Sequence, residues 1–421
     1  MVNMESWDWD TQEKTVSDTN GWKDKFEWVE EFQASPDGEK VAAIVKTGEA
    51  EFSVCVNGEA WENTFDKCWY LRYGPDGRLS CIVSSEMEWT VAVDGQAWDQ
   101  SFGYVMEVKF SEDGKNVCAF IQQDGMYGAA INGEPWENLY SNMTNFAISS
   151  DGQHTAGSVQ TEPMDEGDIF KFQSGIFTAA VDGKAWDKTF VNVWNKAFSP
   201  DGKRLAAEAR MTLYDYTIVV DGVPWSEIYS CVWEPIFNPK TGAVVAPVKV
   251  GASWTLAQDG KTMWNRSFVQ CWQQIFSPDA SRVAAVVAPK YGKWTVAIDG
   301  EAWHSIFDDM VSDMVFSPDG RRLAAVGKND YDYSVIVDDT VWNGTYDMLW
   351  QPVFSPDSQN VAIRAEKQGR QTIVMNGKPW KQECEQVWDP VFSPDGSKVL
   401  IRSIEGGRYI RRVLPTTELT G

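Results

Sequence analysis

Runs of four to eight residues rich in Val, Ile, Phe, Tyr and Trp recur along the whole chain, each closed by Gly, Asp, Asn or Pro. No segment holds a helical 3.6-residue period for ten residues, so the pattern predicts short antiparallel strands joined by tight turns. The stretch from Val193 shows one unit: VWNKAFS, a Pro-Asp-Gly turn, KRLAAEA, YTIVVDG and PWSEIY. We label these strands A, B, C and D.

The unit repeats. A Ser-Pro-Asp-Gly turn stands at Ser35, Ser199, Ser317 and Ser393, with variants at Gly74, Ser111, Ser149, Asn238, Ser277 and Ser355. These ten copies lie about 38 to 40 residues apart, except for one 50-residue interval between Asp151 and Asp201. A second marker runs in phase with the first: Trp61, Trp98, Trp136, Trp186, Trp225, Trp264, Trp303, Trp342 and Trp380, usually three residues after Asp/Asn-Gly. An aromatic residue follows four positions later in all copies but the last, where Cys384 stands. An even offset puts both side chains on one face of a strand D. Units of this length with four strands are β-propeller blades, each burying its faces against its neighbours.

Together with Trp22 and the tryptophans of strands A and C, the repeat accounts for 19 of the 22 tryptophans, leaving Trp7, Trp9 and Trp28 outside. Indoles in phase with hairpins fill the wedges between blades, where strands of Val and Ala supply too little apolar area. The alternative is a crown of sugar-stacking sites, as in a lectin-like carbohydrate-binding propeller.

The segment Phe198–Ala207, FSPDGKRLAA, resembles the WD-like repeat of TolB-type propellers, in which it marks the A–B hairpin. This predicts an all-β fold: a propeller of ten four-stranded blades over 18–414, preceded by an acidic arm, 1–17, and followed by a tail, 415–421. Trp22, Phe26 and Ser35 reproduce the spacing of Trp186, Phe190 and Ser199, and the last unit stops after strand C. Residues 20–27 are therefore expected to act as the missing strand D of blade 10. The arm is acidic, and Lys398, Arg402, Arg408, Arg411 and Arg412 face it in the last unit. Two five-bladed propellers, divided near Ser226–Trp233, are the alternative.

The formal charge of −24 repels nucleic-acid phosphates and anionic lipid alike. No apolar run is long enough to span a bilayer, and the polar start of the chain reads as cytoplasmic. Seven cysteines without a C-x-x-C pair read as small buried hydrophobes. With two histidines, His154 and His304, and no nucleophile elbow, P-loop or dinucleotide fingerprint, neither catalysis nor a metal or cofactor is expected.

Positions released from the blade pattern are the candidates for function. The long interval holds an insertion, 160–175, between strands B and C of one blade. Its Asp165, Glu166, Asp168, Ile169, Phe170 and Phe172 combine acidic and apolar character as a partner-docking loop does. Trp7 and Trp9 in the acidic arm are read the same way. An acidic, tryptophan-dominated propeller of this kind resembles the tryptophan-rich subunit of the transmembrane redox complex of sulfate-reducing bacteria. That resemblance implies a scaffold subunit docked by protein contacts on the cytoplasmic side, with iron–sulfur and membrane cytochrome subunits as partners.

Overall fold

The computed structural model describes residues 4–165 and 167–420. It holds ten antiparallel sheets with strands in the order A-B-C-D, so the fold is an all-β propeller of ten blades. Blade 5 is representative: A is Asn192–Phe198, B Leu205–Arg210, C Tyr216–Val220 and D Val223–Pro224. The chain divides into two compact units, Phe65–Gln274 and, together, Val2–Thr64 with Ile275–Gly421. Blades 2 to 6 belong to the first; blades 1, 8, 9 and 10 belong to the second, and the cut after Gln274 falls inside strand A of blade 7. Neither boundary lies near Ser226–Trp233, where two propellers of five consecutive blades would have to part.

Local chemistry explains why the turns recur. In blade 5 the Ser199 hydroxyl donates to Asp201 Oδ1 at 2.6 Å and accepts the Arg204 N–H, while Asp201 also accepts the Lys203 N–H. The same lattice is built at Ser35, Ser277, Ser317, Ser355 and Ser393. Hydroxyl and backbone donors hold the Asp201 and Asp319 carboxyls below the usual range. These aspartates are spent on backbone geometry, as the turn pattern implied.

The C–D turns are as regular. Each first residue, from Asn57 to Asn376, has φ between 46° and 52°, and a glycine follows with positive φ in eight of nine turns. That is the left-handed pair a two-residue hairpin needs, which Asn/Asp-Gly adopts most readily. The Asp or Asn Oδ1 also accepts the first N–H of strand B: Asp221 from Leu205 at 2.8 Å, Asp299 from Val283 at 2.9 Å.

The glycine has a second role. A Cβ on Gly133 would lie 3.2 Å from Trp98, one on Gly183 3.2 Å from Trp136, and one on Gly222 3.4 Å from Trp186. Gly260 stands in the same relation to Trp225 and, in the second unit, Gly377 to Trp342, each at 3.5 Å. The tryptophan of one blade thus packs on the C–D turn of the next, as a wedge between them. In blade 8, Asp339 replaces the glycine, and its carboxylate accepts the His304 and Ser305 N–H groups just beyond Trp303 instead. Trp380, in blade 9, packs on the buried cluster of Ile373, Val387 and Ile401, and the Arg412 guanidinium lies 5.6 Å from its ring centroid. Of the nine marker tryptophans, Trp136 and Trp264 are buried and the other seven, Trp61 among them, are half-buried. Gly133→Ala, with φ +92° and an indole in the way, is expected to cost about 1–3 kcal/mol. An unchanged urea midpoint would contradict this account of the wedge.

Strand D differs from expectation. It pairs for two residues, breaks, and returns as a single bridge such as Tyr216–Tyr229. The marker tryptophans therefore lie just past the paired residues and not within them. Trp61, Trp303, Trp342 and Trp380 still donate their backbone N–H to strand C, at the carbonyls of Val54, Val296, Val335 and Ile373. In blade 6 an extra residue follows the turn, so Met263 makes that bond and Trp264 sits one position further on, edge-to-face with Phe268 at 6.1 Å. Trp225 N–H reaches Ile218, whereas Tyr229 pairs with Tyr216, so four residues of D span two of C. Thr217 Oγ1 donates to the stranded Glu227 carbonyl at 3.0 Å, and Thr178 and Thr295 serve Lys188 and Ser305 in the same way. Strand A also breaks where proline removes a ladder donor, at Pro235 in blade 6, Pro352 in blade 9 and Pro390 in blade 10.

The N-terminal segment completes blade 10, but with other residues than 20–27. Glu13–Asp18 is the outer strand, paired with Arg408–Pro415, while Asn20–Lys25 is a helical turn. The blade pattern therefore begins at Glu13, inside the stretch assigned to the arm. Trp22 and Phe26 are nevertheless buried wedge residues, packed with Ala34, Val41, Trp388 and Tyr409. The charge match holds at Lys398–Asp10 and Arg412–Glu13. In the C-terminal tail, Thr416–Thr420 is a helical turn whose Leu419 is buried beside Ile373, Val387 and Ile401.

Candidate protein-docking face

Each C–D turn of blades 3 to 5 abuts the tryptophan of the blade before it, so these turns share one end of the first unit. Strands B and C run antiparallel, which places the B–C connections of those blades together at the opposite end. Hairpin tips there need only polar residues and glycine. Those of blades 2 to 5 carry large apolar side chains instead: Met87 is 90% exposed, Phe170 85% and Tyr214 79%, with Met126 and Ile169 also exposed. In the second unit, Tyr291 and Tyr331 occupy the corresponding tips of blades 7 and 8.

The tips are built rigidly. Glu86 and Met87 both have positive φ in a two-residue turn. At the blade 5 tip, Thr212 Oγ1 donates to Asp215 at 2.7 Å and accepts the Tyr214 N–H. Beneath the blade 2 tip, Trp69, Trp89 and Tyr104 form an aromatic trio with centroids 5.1–5.8 Å apart, and Trp69 stays partly exposed.

The insertion lies between strands B and C of blade 4, as its position in the repeat implied. Thr161 N–H extends the hairpin to Ile176, and residues Ile169–Ser174 form a helical turn. Asp168 caps this turn by accepting the Lys171 N–H at 3.0 Å, and Lys171 pairs with Glu162 at 3.3 Å. The two phenylalanines separate: Phe172 packs edge-to-face on Phe177 at 6.2 Å and anchors the turn, leaving Phe170 and Ile169 outward. Asp165 is exposed, and Glu166 lies outside the described residues.

Trp7 and Trp9 belong to the other unit and stack on each other at 6.0 Å. Trp9 donates its indole N–H to the Met4 carbonyl, while Lys398 and Arg411 grip the carbonyls of Trp9 and Asp8. The arm is thus fastened to blade 10, whereas the insertion belongs to blade 4 of the first unit.

Met87, Met126 and Tyr214 escaped sequence reading because one apolar residue in or beside a turn has no period. The signal available was its placement between turn-formers, as in Glu86-Met87-Glu88 or Tyr214-Asp215.

The remaining reactive side chains are engaged in packing or pairing. His154 Nδ1 lies 2.6 Å from Asp182 and His304 Nδ1 2.8 Å from Asp339. Six cysteines are buried, and burial raises the Cys55 thiol to about 11 and that of Cys118 to about 12. Among the described residues no group of three or more His, Cys, Asp or Glu is placed to hold a metal, and no helix is long and apolar enough to cross a membrane.

No family model matches the chain, and no curated protein does. Among solved structures it is similar to one titled as the crystal structure of the eukaryotic initiation factor, with a TM-score of 0.49 and 14% identity. That match covers 84% of this chain and 95% of the other.

Proposed function

We propose that this protein is a non-catalytic interaction subunit that docks a partner protein on the B–C end of blades 2 to 5. The carrying observation is that Met87, Ile169, Phe170 and Tyr214 stand exposed at the tips of blades 2, 4 and 5, with Met126 partly exposed at that of blade 3. Large apolar and aromatic side chains held in water on neighbouring rigid loops are the kind of anchor that dominates protein interfaces. The wedge packing of Trp98, Trp136 and Trp186 accounts for these periodic indoles without a ligand, and it does not involve the exposed tips.

The resemblance of its acidic, tryptophan-rich repeat supports a finer reading: a scaffold of a membrane-associated electron-transfer complex, docked on the cytoplasmic side. Iron–sulfur and membrane cytochrome subunits would carry the cofactors, and protein contacts would overcome the repulsion between a −24 chain and anionic lipid. The test is native mass spectrometry of the protein isolated from its own cells, with an absorption spectrum of the complex. A hetero-complex is expected, with haem or cluster bands belonging to the partners, and M87S/F170S/Y214S is expected to weaken it at least tenfold. A monomer in both forms would overturn the proposal, and a complex untouched by the triple substitution would move the docking face elsewhere.

A further inference from the structure

We infer that the segment docked on this face is basic and amphipathic, presenting large apolar side chains on one side and Lys or Arg on the other; this rests on the docking role proposed above. The apolar tips alternate with carboxylates. Glu86 and Glu88 flank Met87, Asp124 precedes Met126, Asp165 and Asp168 precede Ile169 and Phe170, and Asp215 follows Tyr214, all of them exposed. Lys171 is the one cation in the blade 4 insertion, and Glu162 pairs with it.

The opposite end of the same blades differs. There, basic residues sit among the acids: Arg78 pairs with Asp76, Lys115 with Asp113 and Arg204 with Asp221. The serine–aspartate lattice occupies further carboxylates there, as Asp168 and Asp215 are occupied within their own turns at the B–C tips. Acids thus stand at both ends, and at the B–C tips exposed Glu86, Glu88 and Asp124 lie within two residues of Met87 and Met126, as Asp168 does of Ile169 and Phe170. A surface with separate apolar knobs ringed by carboxylates selects a partner that offers apolar area and cations together. An anionic or purely apolar segment would leave those carboxylates facing a like charge or stripped of water without a counter-charge.

The probe is a pair of synthetic 18-residue helical peptides sharing one Leu/Phe face, with the polar face all Lys in one and all Glu in the other. Binding to the full-length protein is followed by fluorescence anisotropy at low and moderate salt. The Lys peptide is expected to bind, the Glu peptide to bind at least tenfold more weakly, and added salt to loosen the former several-fold. F170S/Y214S, whose side chains are solvent-exposed, is expected to reduce Lys-peptide affinity at least tenfold while leaving the far-ultraviolet circular dichroism unchanged. Equal binding of the two peptides, no binding of the Lys peptide, or binding indifferent to F170S/Y214S would overturn the inference. A native complex still lost on tip substitution would, in those cases, leave the docking role standing and rule out only this partner chemistry.

Discussion

Arg411→Ala is expected to destabilise the second unit by about 3–5 kcal/mol, among the largest single effects available in the chain. Arg411 is fully buried at the packing of blade 10 on blade 1. Its Nε donates to the Asp37 carbonyl at 3.0 Å and lies 3.0 Å from Glu39 Oε1, and the guanidinium also reaches the Asp8 carbonyl. One side chain thus joins the arm, the first A–B turn and the last blade. Its stem fills space as well: a Cβ on Gly38 would lie 3.1 Å from Arg411 Cγ, and Tyr409 and Arg402 cap the Gly38 and Ser35 carbonyls beside it. Alanine leaves a cavity and strips buried carbonyls of their donor. Lys14 still pairs with Glu39 at 2.6 Å, so that carboxylate is not stranded and the lower half of the range is expected. Arg411→Met keeps the stem and should recover part of the loss. Equilibrium urea unfolding by tryptophan fluorescence decides the matter; a midpoint indistinguishable from that of the parent would show that the junction does not depend on this residue.

The junction also shows where sequence reading stops. The turn motifs were legible because their stabilisation is local: a serine, an aspartate and a backbone N–H within five residues of each other. Periodic wedge tryptophans were legible because those of blades 2 to 5 and 8 pack on the glycine of the next C–D turn, but their place relative to strand D was not. The break that leaves Trp61 or Trp380 beyond the paired residues is made by a threonine or serine hydroxyl on strand C, such as Ser53 or Thr372, bonding to carbonyls across the gap. Trp22 and Phe26 were placed correctly in a wedge but assigned to a strand, because a spacing of four serves one turn of helix as well as two alternations of a strand. Glu13–Asp18 was missed because an edge strand with one buried side chain, Ser17, has no apolar alternation; backbone pairing to Arg408–Arg412 and the Arg412–Glu13 ion pair hold it. On the docking face, the insertion announced itself through a long interval, but nothing local separated the anchoring Phe172 from the exposed Phe170. Their difference lies in contact with Phe177, which only the folded chain creates.

Glu208→Gln is expected to stabilise the first unit at pH 8 by up to about 3 kcal/mol, and by progressively less as the pH is lowered towards 4.5. Glu208 stands on strand B of blade 5 among Leu205, Ala206, Ala207 and Ala209, two residues before Arg210, and is buried. Asn195, in the bulge of strand A, donates its amide to Oε2 at 3.0 Å. Desolvation raises the carboxyl from 4.5 to about 7, and nearby Glu234, itself raised by burial, adds to the shift. Cys231 lies in the same environment, and Lys249 acts on Cys231 rather than offsetting Glu208. The sign follows from proton counts. Between pH 4.5 and 7 the folded chain holds a proton that the unfolded chain has released, so this site loses stability as pH rises through that window and stays at its minimum above it. Glutamine keeps the shape, still accepts from Asn195 and removes the titration. Urea midpoints of the parent and E208Q should therefore converge near pH 4.5 and separate by pH 8, with the variant higher. A gap that is constant across this range, or that widens towards acid, would mean that the Glu208 carboxylate is charged in the folded chain at neutral pH and that the packing around it is looser than the structure shows.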